Sequence, residues 1–238
     1  MKHAVVNLPK LQPDEYVEHN ILPRKLAEKN RELRLRALLI APEEFASTYE
    51  VEVERGLTHI LDRLGNSQAD HFFAIETHAE WNIQGNRNIF EELLRVRWIG
   101  MIVLIGPQGP SSPSATADPL AQETDRTTKV QLSATANGQT LRYHLSDMFV
   151  EPVAQRQGIG KALIEAALGK ARGVCRQQDA SFHCSIFVDS ENSAARSLYQ
   201  NIGFTAVGEE SYVQLSRRKA GEPRTKTPER KAIQMEIT

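Results

Sequence analysis

The stretch from Met148 to Ala162 limits what this chain can fold into more than any other part of the sequence. Its residues predict a strand, a stop at Pro152 and a helix entered through Gly158 and Gly160. Glycine lets a ligand approach the backbone closely, and the free N–H groups and dipole of a helix start favour an anion. The stretch therefore predicts a cradle for a pyrophosphate. A tight strand-to-helix turn is the alternative.

Two common phosphate-binding motifs do not fit this stretch. A nucleotide P-loop needs the spacing G-x-x-x-x-G-K-[ST], which the stretch lacks. A dinucleotide-binding turn needs G-x-G-x-x-G, and Lys161 to Leu163 supplies no third glycine. The cradle is therefore of another kind.

Helical and strand patterns alternate along the rest of the chain. Helices are predicted at Arg24–Ile40, Glu50–Leu64, Gly158–Arg176 and Ala194–Ile202. Strands are predicted at Phe72–Ile75, Val96–Ile105, Thr140–Val150, Ser181–Val188, Phe204–Leu215 and Ala232–Ile237. The stretch Thr77 to Asn88 is polar and is expected to be a loop. This order of elements predicts an α/β chain.

Side-chain periodicity assigns faces to two of these elements. The second helix is expected to bury Val53, Leu57, Ile60, Leu61 and Leu64. The strand Thr140–Val150 is expected to place Leu141, Tyr143, Leu145 and Phe149 on one face, and Arg142, His144, Ser146, Met148 and Val150 on the other.

Two segments interrupt the regular patterns. Residues 106–139 are rich in Pro, Ser, Thr, Ala and Gly, so they are expected to form a flexible insertion that buries too little apolar surface to fold. Residues 216–231 hold a basic run and are expected to form a solvated loop. A nucleic-acid-binding role for this run has little support, because the chain's 29 basic residues are balanced by 30 acidic ones.

Length and composition predict one soluble domain over residues 1–238, since a single core commonly holds about 100 to 200 residues. No apolar stretch is long enough to span a bilayer, and no signal sequence is recognisable, so a cytoplasmic location is expected, with a nuclear one left open. Cys175 and Cys184 have no metal-ligand spacing, and no metal is expected.

Three parts of the sequence resemble one known family. The run Gln155-Arg156-Gln157-Gly158-Ile159-Gly160 matches Q/R-x-x-G-x-G/A, the acetyl-CoA signature of the GCN5-related N-acetyltransferases, or GNAT superfamily. The run Leu145 to Val150 resembles that family's fourth strand, and Asn192 to Tyr199 followed by Gly203-Phe204 resembles its N-x-x-A-x-x-x-Y block. The resemblance implies a mixed, mostly antiparallel sheet flanked by helices, with acetyl-CoA as co-substrate.

The resemblance also implies roles for individual residues. The backbone at Met148, Phe149 and Val150 would pair with the pantetheine arm, and Gln155, Arg156, Gln157, Gly158, Ile159, Gly160 and Lys161 would hold the pyrophosphate. Asn192, Ala195 and Tyr199 would share one helical face, Asn192 binding the pantetheine arm and Tyr199 protonating the departing thiolate. His144 is the candidate general base, because its ordinary pKa suits the task. Asp147, Glu50 and a water-mediated route remain open.

The function implied is transfer of an acetyl group from acetyl-CoA to a primary amine, on a small molecule or a peptide, by direct attack in a ternary complex. A non-catalytic acetyl-CoA sensor of the same fold is the alternative. Fold analogy chooses neither the acceptor amine nor the oligomeric state.

Overall fold

The computed structural model describes residues 2–10, 21–77, 89–108, 139–213 and 229–238, and within them the chain forms five α-helices and seven strands. The strands are β1 His3–Asn7, β2 Ala69–Glu76, β3 Trp98–Gln108, β4 Thr140–Val150, β5 Ser181–Asp189, β6 Thr205–Val213 and β7 Glu229–Ile237. The helices are α1 Ile21–Ile40, α2 Tyr49–Gly65, α3 Ile89–Arg95, α4 Ile159–Gln177 and α5 Ser193–Ile202.

The strands form one sheet in the order β1-β2-β3-β4-β5-β7-β6. Every neighbouring pair is antiparallel except β4 and β5, which are parallel, so the mixed, mostly antiparallel sheet predicted from the resemblance is confirmed. The β4–β5 pairing runs only from Thr140 opposite Ser181 to Leu145 opposite Ile186. Beyond it, β5 keeps only the pairing of its other edge with β7, which runs from Cys184 to Asp189. The two central strands therefore separate and leave a gap between them.

Helices cover both faces of the sheet. On one face α4 buries a stripe that includes Leu163, Ala167 and Leu168, whose spacing matches a helical period. On the other face Leu26 and Leu33 of α1 belong to a second apolar cluster. Each fully buried leucine stabilises the fold by about 1.5–3 kcal/mol, so the two clusters fix the sheet between its helices.

Two elements were not predicted, and a third extends beyond its predicted end. Strand β1 and helix α3 were not predicted, because each is short and carries no strong periodicity. Strand β3 continues to Gln108, which pairs with Arg142, so Gly106 to Gln108 are not part of a flexible insertion. Residues 109–138 lie outside the described part of the chain, as do residues 216–228 of the predicted basic loop.

The end of that predicted loop is strand. Strand β7 begins at Glu229, three residues earlier than expected. Arg230 pairs with Asp189 at 2.8 Å, and Lys231 pairs with Glu209 at 2.6 Å. Opposite charges on neighbouring strands give these basic residues a place in the sheet.

The predicted buried face of α2 is wrong in part. Gly56 has φ 72° and kinks the helix, and Val53 is 41% exposed. The buried positions are Glu52, Ile60, Arg63 and Leu64. The spacing of apolar residues does not indicate Glu52 and Arg63, because these two charged side chains face inward to pair with other charges.

A β-bulge at Asp147 divides β4 into two halves. Asp147 has φ 53°, and the register shifts between the pairs Met101–Phe149 and Val103–Ser146. The extra residue reverses the alternation of side chains. Leu141, Tyr143 and Leu145 face α4 before the bulge, whereas Met148 and Val150 face it afterwards. The prediction that Phe149 shares a face with Leu145, and Met148 with His144, is therefore wrong.

Candidate active site

The start of α4 presents free backbone amides. Arg156 and Gly158 both have left-handed conformations, with φ 62° and 80°, and the helix begins at Ile159. Its first turn is closed by the hydrogen bond that the Ala162 amide donates to the Gly158 carbonyl, at 3.0 Å. The amides of Ile159, Gly160 and Lys161 lie in the first turn and have no carbonyl acceptor within the helix. They are therefore available to bind an anion.

The turn before α4 is tied to β4. The Gln155 side-chain amide donates to the Val150 carbonyl at 3.0 Å, and the Gln155 backbone amide donates to the Pro152 carbonyl at 3.2 Å. The cradle from Gln155 to Lys161 is thus held at a fixed distance from the end of the strand.

The two glycines of the cradle meet different needs. A Cβ on Gly158 would meet no atom within 4 Å, so its left-handed φ is what requires glycine. A Cβ on Gly160 would lie 3.1 Å from Leu198 Cδ2 and 3.2 Å from Met148 Cε. The small size of Gly160 therefore lets α4 pack against α5 and β4. Close packing explains this position, where the sequence suggested only close approach of a phosphate.

The edge of β4 beyond the bulge is open toward the gap. The Glu151 amide donates to the Ile99 carbonyl at 2.8 Å, so Glu151 points toward β3. Backbone groups alternate sides along a strand, so Val150 and Met148 face the gap, whereas Phe149 faces β3. The Phe149 ring is buried in the cluster beneath α1. Met148 and Val150, rather than Phe149, are therefore the candidates for the expected pairing with a pantetheine arm, which stays a prediction, and Phe149 contributes packing.

A cavity of about 180 Å³ occupies the gap. Its walls come from the loop before α2, from β4 and β5, from α5, and from β6 and β7; the lining includes Arg34, Glu44, Ser47, His144, Asp147, Met148, Phe187, Asp189, Asn192, Ala195, Tyr199 and Tyr212. The two residues predicted to act as acid and base, Tyr199 and His144, therefore line one cavity.

Tyr199 is buried in the last turn of α5. It is 2% exposed, and its ring packs edge-on against Phe204 with the ring centroids 5.6 Å apart. Burial, together with the carboxylate of Glu44, raises the pKa of Tyr199 well above its usual range. The hydroxyl therefore stays protonated at neutral pH and is able to donate.

His144 is 3% exposed, and its Nδ1 lies 3.0 Å from Ser185 Oγ. Burial lowers the pKa of His144 to about 4, although the charge of Asp147 acts in the opposite direction. The ring is therefore neutral at pH 7. It is free to accept a proton but is a weak base.

If His144 is the base, replacing it by alanine should lower kcat/KM at neutral pH by about 10²-fold, the lower end of the usual range for acid–base catalysis, because so weak a base contributes little. The wild type should lose activity only as pH falls toward about 4, where the imidazole becomes protonated. A pH–rate profile of both proteins checks this. A wild-type limb that His144→Ala leaves unchanged would assign the base to a water-mediated route.

Asn192 caps α5. Its Oδ1 accepts from the Ala195 amide at 2.9 Å, and its side chain also hydrogen-bonds to Glu44. The residue therefore joins the helix that carries Tyr199 to the loop on the opposite wall. Its expected contact with a pantetheine arm stays a prediction.

A buried ion network surrounds the bulge, and no pattern of residues in the sequence indicated it. The Arg34 guanidinium contacts Glu52 at 3.0 Å and Asp147 at 2.7 Å, and Arg63 also pairs with Asp147. Burial alone would raise the pKa of Glu52, but Arg34 and Arg63 lower it to about 2. The same two arginines hold the pKa of Asp147 well below its usual range, against the effect of burial.

The network bears on the open alternatives for the base. Asp147 stays ionised and paired, so it accepts a proton poorly at neutral pH. Glu50 lies on the first turn of α2 with an exposed side chain.

His71 makes the network sensitive to acid. Its ring is buried and its Nε2 lies 2.9 Å from the Arg63 carbonyl; burial and the Arg63 charge lower the pKa to about 4. Because the unfolded chain binds a proton near pH 6.5, this histidine stabilises the fold above that pH, and the contribution is lost as pH falls toward 4.

His71→Gln should abolish this loss of stability, which amounts to up to about 3 kcal/mol. Denaturant unfolding of both proteins at pH 7.5 and 4.5 tests it, and equal losses would contradict it.

Residues 123–217 match the family model described as an acetyltransferase (GNAT) domain. Two solved structures share the fold: Arabidopsis thaliana NAA60 in complex with acetyl-CoA, at 13% identity and a TM-score of 0.52 over 99% of this chain and 98% of that one; and yncA, a putative acetyltransferase from Salmonella typhimurium with its cofactor acetyl-CoA, at 12% identity and a TM-score of 0.51 over 100% and 94%. The match to the family model covers less than half of the chain and shows that residues 123–217 are similar to a GNAT domain, and the two structures show that the chain shares the fold.

A curated relative of this chain is the mycothiol acetyltransferase of Beutenbergia cavernae. The two are 43% identical over 60 residues, which is 24% of this chain and 18% of that protein. No helix in the described part of the chain is long and apolar enough to cross a membrane.

The GNAT fold brings the predicted site residues together from distant parts of the sequence. The cradle and the α5 face meet where Gly160 packs on Leu198, and the same α5 face reaches His144 across the cavity. Arg34, Glu52 and Arg63, which no sequence pattern indicated, surround the bulge, and Arg34 also lines the cavity.

Proposed function

We propose that this chain is an acetyl-CoA-dependent N-acetyltransferase that acetylates a primary amine by direct attack in a ternary complex. The observation that carries the proposal is the open edge of β4, which runs between the cradle at α4 and a cavity lined by both Tyr199 and His144. One path thus joins a site for a pyrophosphate to a site for acid–base chemistry.

The chain's own residues fit the co-substrate. The amides at the start of α4 would bind its pyrophosphate, and the backbone of Met148 and Val150 would pair with its pantetheine arm. Acetyl-CoA would supply the acetyl group as an activated thioester. An amide on this edge would stabilise negative charge at the carbonyl oxygen, an effect worth about 10²–10³ in rate elsewhere.

Direct attack suits the state of the cysteines. Cys184 and Cys175 are both buried, and burial raises the pKa of each thiol. A thiol that stays protonated is a poor nucleophile. Transfer through a cysteine is therefore disfavoured, and the amine itself is the nucleophile.

The walls of the cavity suit an amine acceptor. Glu44 lies at its exposed rim, and Asp189 lies inside, where it accepts from the Tyr212 hydroxyl at 2.9 Å. Asp189 is already paired with Arg230, so Glu44 is the carboxylate that favours an approaching ammonium group. Tyr199 and neutral His144 would move protons once the amine is bound. The relative's acceptor does not transfer to this chain, because the aligned 60 residues leave most of both proteins uncompared.

An assay of CoA-thiol release over a panel of amines and peptides tests the proposal. An N-acetyltransferase releases CoA only with an accepted amine, and its initial rates at varied concentrations of both substrates give intersecting double-reciprocal lines. Stabilisation by acetyl-CoA with no release for any acceptor would favour the sensor instead. Parallel lines would indicate an acetylated enzyme intermediate.

A further inference from the structure

The carboxylate of Asp147 is fixed from two sides. Arg34 Nη1 lies 2.7 Å from Asp147 Oδ1, and Arg63 Nη2 pairs with Oδ2. The backbone of Asp147 has φ 53°, a left-handed conformation that residues other than glycine adopt at a cost. The two guanidiniums therefore hold in place the residue that forms the bulge.

Arg34 also binds a second carboxylate. Its Nε and Nη2 lie 3.0 and 3.1 Å from the two oxygens of Glu52, and the Arg34 and Glu52 side chains are 5% and 2% exposed. One planar guanidinium thus joins α1, α2 and the bulge of β4. Only arginine provides donors in this arrangement, since a lysine ammonium is a single point charge.

The bulge decides which backbone groups face the gap. It reverses the alternation of β4, so that Val150 and Met148 turn their amides and carbonyls away from β3. Loss of the bulge would shift the register by one residue and exchange these groups for those of Phe149.

We propose that Arg34 is a positioning residue for acetyl transfer, which acts through Asp147 to hold the bulge and so to aim the Val150 and Met148 backbone at the acyl group. The inference rests on the proposed function. Arg34 itself touches no reacting atom in this role. Its effect falls on the geometry of the transfer step and spares the pyrophosphate cradle.

The variant Arg34→Gln tests the inference. Misplacing the backbone near the reacting carbonyl should lower kcat by about 10- to 100-fold, because errors of about 1 Å in position have effects of this size. The affinity for CoA should change by less than about threefold, because the cradle at the start of α4 binds the anion independently. Rates are expressed per mole of protein that binds CoA, so a partly unfolded preparation does not mimic the effect.

Arg36→Gln is a matched control. Arg36 lies on the same helix, and its Nη2 pairs at 2.9 Å with Glu151, the residue directly after β4. This variant also removes an ion pair between α1 and the β4 region but leaves the bulge alone, so its kcat should stay within about twofold of the wild type. An equal loss of kcat in both variants would mean that Arg34 acts only through general stability.

Glycine at position 147 provides a rescue. Glycine adopts a left-handed conformation without a clamp, so Asp147→Gly combined with Arg34→Gln should recover most of the kcat lost by Arg34→Gln alone. A purely stabilising role predicts a double variant that is no faster than the single one, and that result would overturn the inference. If Arg34→Gln does not fold, Arg34→Lys replaces it in the same comparisons, since its ammonium keeps the charge but not the fork.

The two proposals fail in different ways. A wild type that turns over, with Arg34→Gln equally fast, overturns only the positioning role. A wild type that binds acetyl-CoA but accepts no amine removes the proposed transfer. The ratio of acetyl-CoA to CoA affinity then decides, because both compounds carry the pantetheine arm and differ only in the acetyl group at the aimed backbone. An unchanged ratio in Arg34→Gln overturns the inference, and a wild type that binds neither compound overturns both proposals.

Discussion

Replacing Tyr199 by phenylalanine is expected to lower kcat by about 10²-fold and to leave acetyl-CoA affinity within about threefold, because only the proton donor is removed. The Tyr199 ring is 2% exposed and packs against Phe204, and phenylalanine fills the same space. General acids contribute about 10²- to 10⁴-fold, and the raised pKa of Tyr199 makes it a weak acid. We therefore expect the lower end of that range.

The control is Tyr143→Phe. Tyr143 is a buried tyrosine of β4, 3% exposed, whose side chain belongs to the cluster beneath α4, on the sheet face away from the cavity. Tyr143→Phe removes a buried hydroxyl, as Tyr199→Phe does, so the two variants undergo the same kind of packing change. The kcat of Tyr143→Phe should stay unchanged. Steady-state CoA-thiol release and acetyl-CoA titration of both variants give the comparison. Wild-type turnover in Tyr199→Phe would remove Tyr199 as the acid.

The parts of the site that the sequence predicted are those encoded locally. Gly158 and Gly160 lie two residues apart at a helix start, and helical spacing alone puts Asn192, Ala195 and Tyr199 on one face of α5. Neighbours in sequence are neighbours in a helix, so a short pattern was enough. The mixed sheet came from the resemblance of the same segments to a known family.

The parts that the sequence did not predict depend on distant pairings. Arg63 and Asp147 are 84 residues apart, and no local pattern of apolar residues marks either as buried. A rule that sends charged residues to the surface fails where two opposite charges meet in the interior. The bulge itself is a single extra residue. The period of two in β4 is imperfect and does not mark where the bulge lies, so the faces of His144 and Phe149 were assigned as if β4 were straight.

The same reasoning separates the two glycines of the cradle. The motif specifies both positions without saying why, and the structure gives each a different cause. Left-handed backbone requires glycine at 158, whereas contact with Leu198 and Met148 requires it at 160. A substitution at 158 should therefore disturb the cradle through backbone strain, and a substitution at 160 should disturb it through crowding.

Gly158→Val and Gly160→Val are both expected to abolish stabilisation by acetyl-CoA. At a ligand concentration of 100 Kd the wild type should gain about 2.7 kcal/mol. For a chain of this size that gain corresponds to a rise in Tm of roughly 5–10 °C. Valine at 158 strains a backbone with φ 80° and redirects the amides before α4, while valine at 160 pushes α5 away from the cradle.

Gly169→Val is the matched control for both variants, because Gly169 lies in the same helix and an added Cβ there would meet no atom within 4 Å. It should keep Tm or raise it slightly, because valine has a higher helix propensity than glycine, and it should keep the full acetyl-CoA shift. Differential scanning fluorimetry with acetyl-CoA and with free CoA measures all four proteins. The expected pattern is a loss of both shifts in the variants at 158 and 160 alone. A full shift in Gly158→Val would mean that the amides at the start of α4 do not hold the pyrophosphate, since this substitution changes the backbone there without crowding any neighbour.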